Sequence, residues 1–295
     1  MKQNLILMAC IATLLACSPV KQKSERVSTI DENLQVVVDS LLRQKMEEVD
    51  AVSGRAIVIE VQTGEVKALV GSDSIQQESG LVRVATLLAA LEKGKVKLSD
   101  IVDVGDGILA IGTDTLLDHN WRRGGYGELT IQQSFGVASN IASYQIAKTA
   151  FKDGVDFAKA LTEYDYQVND TSLVYNPIGY GIPTTPMQNV KFFNAVARRS
   201  LANEAVADSL IRVMEYSVTE GLAKPAASDK VRVAGATGTI RLAEDEHVAE
   251  FCGFFPAEAP QYTILVSINK KGLPVSGELM AGSVFSDIVD YVIRR

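Results

Sequence analysis

The stretch VAGATGTI, Val233 to Ile240, has the apolar ends of a β-strand and a middle stripped of bulk. Glycine weakens a strand unless another backbone or a ligand has to come close. Gly235 and Gly238 therefore mark a strand that something approaches, and Thr237 and Thr239 leave two hydroxyls on it. Two more strands follow, Val248 to Phe255 and Tyr262 to Lys270. The chain then closes on a helix, Val284 to Ile293, with apolar positions at Val284, Phe285, Ile288, Val289 and Val292.

Upstream, RAIVIEV (Arg55 to Val61) and VKALV (Val66 to Val70) flank a Gln-Thr-Gly-Glu turn, the pattern of a hairpin. Thr29 and Glu32 have capping-box spacing, and Leu34, Val37, Val38, Leu41, Leu42 and Val49 share one helical face after them. Leu81 to Leu91 reads as a buried helix stopped by Gly94. Leu129 to Phe151 reads as a second, central helix, and Phe192 to Leu201 and Asp208 to Leu222 as two more. The order helix, hairpin, helices, three-strand meander, helix predicts one α/β (α+β) domain over residues 29–295. Its centre is a five-stranded antiparallel sheet flanked by helices, with both chain ends packing against it.

With 47% hydrophobic and 22% charged residues the composition is that of a globular chain. A net charge of −7 excludes a nucleic-acid footprint, which needs a basic face. The two histidines, His119 and His247, and the three cysteines, Cys10, Cys17 and Cys252, lack zinc spacing, so neither metal nor other cofactor is expected. The N-terminus reads as a targeting segment: Lys2, an apolar run from Leu5 to Leu15, then LLAC, Leu14 to Cys17. It is similar to a bacterial lipobox. Residues 1–16 are then a lipoprotein signal peptide, Cys17 the lipid anchor, and 17–28 a polar tether. Cys252 would be left without a disulfide partner, on an apolar strand where a core role is expected.

Six strings in this order resemble the transpeptidase domain of class B penicillin-binding proteins, the division and elongation type. They are TIDENLQ (Thr29 to Gln35), QTGEVKALV (Gln62 to Val70), GGYGELTIQQSFGVASN (Gly124 to Asn140), GYGIPTTPMQ (Gly179 to Gln188), VAGATGTI, and FCGFFPAEAPQYTILVSI (Phe251 to Ile268). The resemblance covers nearly the whole chain after the tether and implies the penicillin-binding protein/β-lactamase-like fold. The family's chemistry uses three motifs. Ser-x-x-Lys supplies a nucleophile and its base, Ser-x-Asn a proton relay and a substrate contact, and Lys-Thr-Gly a carboxylate contact and part of the oxyanion hole.

All three motifs are degraded here. Anchored on TLLAALE (Thr86 to Glu92), the serine position is Gly80 and the lysine position Arg83; a one-residue shift gives Leu81 and Val84. Neither register supplies a nucleophile, and arginine holds its proton too tightly to act as base. Ala138 replaces the hydroxyl of the second motif and Ala236 the lysine of the third, while Asn140, Thr237, Gly238 and Thr239 remain. SPVK (Ser18 to Lys21) lies on the tether and SIN (Ser267 to Asn269) ends a core strand, so neither restores a motif. Ser79 has Val82, not a base, three residues on. His119 and His247 are expected in loops. RRGGYG (Arg122 to Gly127) lacks the preceding strand of a phosphate loop, and Trp121 fits packing as well as sugar stacking.

The resemblance thus implies a periplasm-facing, lipid-anchored pseudoenzyme that binds or scaffolds in peptidoglycan synthesis or cell division. Its expected partners are cell-wall synthesis proteins, the membrane through Cys17, and a stem peptide or β-lactam held non-covalently by Asn140, Thr237, Gly238 and Thr239. Two alternatives stay open: an active D,D-transpeptidase, carboxypeptidase or β-lactam-hydrolysing serine enzyme with an unconventional nucleophile, and a structural envelope protein without cleft function. The lipobox reading predicts that Cys17→Ala abolishes metabolic palmitate labelling and releases the protein from the membrane fraction. Unchanged membrane association would contradict it.

Overall fold

Alternation decides which way each sheet residue points. In β1 (Ala51–Glu60) the odd-numbered Ile57 and Ile59 face one side and the even-numbered Ala56 and Val58 the other, so both faces need cover. The computed structural model describes residues 28–295; the signal-peptide and lipid-anchor readings, Cys17 included, fall outside the described residues. β1 pairs with β2 (Val66–Val70), and β3 (Ala234–Arg241), β4 (Glu246–Phe255) and β5 (Tyr262–Lys271) complete an antiparallel sheet in the spatial order β2-β1-β5-β4-β3. The fold is therefore the α+β arrangement the sequence predicts, with the glycine-rich strand at one edge.

The described residues form eight α-helices around the sheet, some packed on it and others on those helices: α1 (Glu32–Glu48), α2 (Val82–Glu92), α3 (Ile131–Gly136), α4 (Asn140–Ala150), α5 (Gly154–Thr162), α6 (Pro186–Ala197), α7 (Glu204–Thr219) and α8 (Ser283–Ile293). One core gathers Ile57, Ile59, Cys252, Phe254 and Leu265 with α2, α6 and α7. The other gathers Ala56, Val58, Phe251 and Val266 with α1 and α8. Every residue of α2 from Val82 to Leu91 is buried, which explains its lack of an amphipathic stripe.

Several boundaries differ from the sequence reading. The cap of α1 is Asp31, whose carboxylate accepts from Leu34 N at 3.0 Å, not Thr29. Thr29 instead donates to Val66 O at 2.8 Å. Asp31 N bonds Lys67 O at 2.9 Å, Gln35 bonds both Leu69 O and Leu69 N at 2.8 Å, and Arg295 bonds Asp31 Oδ2 at 2.7 Å. These bonds close the β2 edge, which would otherwise offer unpaired backbone groups. The expected helix Leu129 to Phe151 is broken. Ala138 adopts φ 51°, Ser139 caps α4, and Glu128–Thr130 is a short strand paired with Ile101–Asp103. A small polar residue that caps a new helix outcompeted continued helical periodicity. α6 begins earlier than expected, at Pro186 after the Thr185 cap. The short strand pairs Gln77–Glu78 with Pro183–Thr184 and Ile108–Ile111 with Asp114–Leu117 carry too few residues for a clear period, and α5, with Phe157 and Leu161 buried on one face, is a further helix beyond those expected.

Phe285 of α8 is fully buried, edge-on to Phe251 with ring centroids 4.7 Å apart. Phe285→Ala should destabilise the protein by about 3–5 kcal/mol. Urea denaturation checks this, and a loss below about 1 kcal/mol would mean that α8 is not part of the cooperative core.

Candidate functional site

The glycines of β3 answer to two neighbours. A Cβ built on Gly235 would meet the Phe251 ring at 2.3 Å. One on Gly238 would meet Gly80 C at 2.9 Å and Leu81 N at 3.0 Å. The relation is mutual: a Cβ on Gly80 would lie 2.9 Å from Gly238 Cα and 3.0 Å from Thr239 N. The start of α2 therefore rests backbone to backbone on the edge strand, and no side chain fits between them without moving one or the other.

Arg83, one turn further along α2, ties this junction to the second motif position. Its Nε donates to Gly80 O at 3.0 Å, one terminal nitrogen to Ala138 O at 2.7 Å and the other to Asn140 Oδ1 at 3.3 Å. Burial lowers the guanidinium pKa to about 10, opposed by the charge of Asp118 and by Tyr180, so it remains a cation at neutral pH. Leu81 and Val84, the pair of the shifted register, are fully buried core residues. Gly80, Arg83, Ala138 and Asn140 are thus brought together along one seam, with Gly238 and Thr239 across from Gly80. Ala236 is buried in the core packed beneath α2.

The polar groups expected to meet a peptide already have internal partners. Asn140 gives its amide to Leu117 O at 2.9 Å and receives Arg83 on its oxygen. Thr237 Oγ1 donates to Glu250 O at 3.2 Å, and Thr239 Oγ1 accepts from Gly277 N at 3.0 Å. Asp118, buried in the turn after the Asp114–Leu117 strand, accepts from Ser139 Oγ at 2.7 Å, Asn140 N at 2.7 Å and Ile141 N at 3.1 Å. It sits where the first orphan amides of α4 point, which is where a carboxylate is most stabilising.

Sequence reasoning missed Asp118, and no pattern around it points to this role. It also missed the partner of Ser79. Ser79 Oγ donates to Glu250 Oε2 at 2.5 Å and accepts from Asn189 Nδ2 at 3.2 Å, all three side chains being buried. A signal did exist: Glu250 is the one charged residue inside the otherwise apolar run Val248 to Phe255. Of the bystanders, His119 lies in a loop against Tyr126, with Nε2 3.0 Å from the phenol oxygen, and burial lowers its pKa. His247 is a strand residue of β4, not a loop residue. Trp121 lies under the Arg122 guanidinium, 4.6 Å from the ring centroid. Cys252 is buried in the core, as expected.

Comparison with known proteins gives the same frame. The model of the penicillin binding protein transpeptidase domain matches residues 54–290. Stage V sporulation protein D of Bacillus subtilis (strain 168) is 23% identical, over 73% of this chain and 42% of its own length. Peptidoglycan D,D-transpeptidase FtsI of Buchnera aphidicola is 23% identical, over 91% and 58%, and FtsI of Escherichia coli (strain K12) 23%, over 90% and 55%. The chain thus spans about half the length of these curated relatives. The apo transpeptidase domain of Burkholderia pseudomallei penicillin-binding protein 3 superposes with TM-score 0.80 at 21% identity, covering 94% of this chain and 97% of that one. At such identity the superposition speaks for the fold, and the match of the domain model over most of the chain speaks for descent: the chain belongs to the family of penicillin-binding protein transpeptidase domains.

Proposed function

We propose that this chain is a non-acylating member of its family, acting as a binding or scaffolding component of peptidoglycan synthesis or cell division. In this reading it sits in the bacterial envelope, held to a membrane through Cys17. The observation that carries it is the junction of Gly80 with Gly238 and Thr239. At the position assigned to the nucleophile there is neither a hydroxyl nor space for one, and the assigned base is an arginine engaged in three hydrogen bonds. Arginine does not give up its proton at working pH.

The reading of an active serine enzyme finds little support in Ser79. Its hydroxyl has a carboxyl partner in Glu250, yet both are sealed from solvent, and a nucleophile must reach its substrate. The reading of a structural envelope protein separates from ours on ligand binding. With Asn140, Thr237 and Thr239 internally bonded, a stem peptide has to gain its contacts along the β3 backbone, as in strand addition.

Intact-mass spectrometry after incubation with a fluorescent penicillin should show no adduct on the unmodified protein. A stable acyl adduct would overturn this proposal, and the modified residue would identify the nucleophile. Gly80→Ser should not restore acylation, since the motif groups act as a unit. It should also destabilise the fold by about 1–3 kcal/mol, because the new Cβ meets backbone on the facing strand.

A further inference from the structure

Arg212 stands on α7 between two acids at pairing distance along the helix, Asp208 one turn before it and Glu215 one turn after. Neither bonds it. Asp208 accepts from the Arg199 guanidinium at 2.9 Å, and both carboxylate oxygens of Glu215 accept from Arg232 at 2.7 Å. Arg212 is left exposed, with no ion-pair partner among the described residues. It lines a groove of about 670 Å³ between α7, α3 and residues 96–99, which follow α2.

The charge of this groove runs against that of the chain. The net charge is −7, yet Lys97 and Arg212 are the charged residues of the lining and no acid joins them. Lys97 too has no ion-pair partner among the described residues. The groove between α2 and α5 is mixed by contrast: Glu92, Asp156 and Glu163 face Lys93 and Lys159, and Lys93 bonds Asp156 at 2.8 Å. The floor beside Arg212 is apolar. Leu91 and Val96 are buried in it, and Leu98 and Val206 are half-buried against the same core. Gln132 and Tyr216 complete the lining, and neither side-chain polar group has a hydrogen-bond partner among the described residues. The Tyr216 ring lies on Gly136, where a Cβ would come within 2.8 Å of it. Past Gln132, Arg212 and Tyr216 the lining continues to Val233, just before β3.

We propose that this groove is a docking site for an acidic, partly apolar segment of a partner protein. A carboxylate of the segment pairs with Arg212, Lys97 adds a second positive charge, and an apolar side chain rests on Leu98 and Val206. The guanidinium fork fits a carboxylate with two parallel hydrogen bonds. The Gln132 amide and the Tyr216 hydroxyl are free to meet a peptide backbone. A phosphate polymer or an anionic lipid surface is held by a cluster of cations on an open face, and two cations over an apolar floor are too few for that. The site stands apart from the chemistry of the α2 and β3 seam and does not rest on it.

A random-peptide display library screened against the full-length protein tests this. Selected peptides should be enriched in Asp and Glu with apolar residues beside them. Fluorescence anisotropy with a selected, labelled peptide should then show at least about tenfold weaker binding to Arg212→Glu. Exchanging the acidic residues of the peptide for Lys should restore binding to that variant, which also shows that the variant is folded. Arg199→Ala, which frees Asp208 to pair with Arg212, should weaken binding about twofold. Lys93→Gln, in the other groove, should leave it unchanged. Peptides selected without acidic enrichment, or bound equally by Arg212→Glu, would overturn the proposal. So would Arg212-dependent binding to phosphatidylglycerol vesicles with no peptide selected, which would mark a membrane contact. Self-association lost in Arg212→Glu, again with no peptide selected, would overturn it in favour of a second copy of the chain. A penicillin adduct would overturn the non-acylating reading and leave this docking site standing.

Discussion

Backbone contact between Gly80 and Gly238 governs how the rest of the seam is built. Two chains can approach this closely only where neither carries a Cβ toward the other. Once they do, the first turn of α2 is fixed relative to β3, and Arg83 is fixed with it. Its three bonds then hold the loop at Ala138, where the backbone adopts φ 51°. A left-handed alanine is unfavourable by itself and persists where its surroundings determine it. Here the carbonyl bonded to Arg83 and the Ser139–Asp118 contact supply that determination.

The seam also shows how the residues at these positions keep their order. Buried polar groups left unpaired are costly, so those along the seam need partners within the chain. Asn140, Thr237 and Thr239 have each found a partner inside the chain. Asp118 supplies the negative charge that faces the buried guanidinium of Arg83, so the cation is not isolated in the interior. The result is a seam whose polar groups are satisfied within the chain.

Much of the frame was legible in the sequence because it depends on period. The hairpin, the three late strands and the last helix follow from alternation and from the 3.6-residue repeat, and five ordered strings set them in the right sheet together with VAGATGTI. What stayed hidden depends on contacts between distant residues. Ser79 and Glu250 are 171 positions apart, and Asp118 caps a helix whose start lies beyond a long loop. The break at Ala138 was hidden for another reason. Leu129 to Phe151 is apolar enough to read as one helix, and the caps at Thr130 and Ser139, with Asp118 and Arg83 from distant segments, divide it. At Gly80 the sequence shows a missing hydroxyl; that glycine is also the one residue type that allows the strand so near is visible only in the fold.

The bonds around Asp31 have a mechanical meaning. The described chain begins at Ser28 beside β2, and β2 and β3 are opposite edges of a five-stranded sheet, about 19 Å apart at the usual strand spacing. A pull applied through the preceding residues is taken first by Thr29 on Val66, Asp31 on Lys67 and Arg295, and Gln35 on Leu69. Those contacts would yield one after another, as a zip does, before load reached β1. Load entering at Ser28 would therefore be dissipated at the far edge, and the seam between α2 and β3 would stay mechanically quiet.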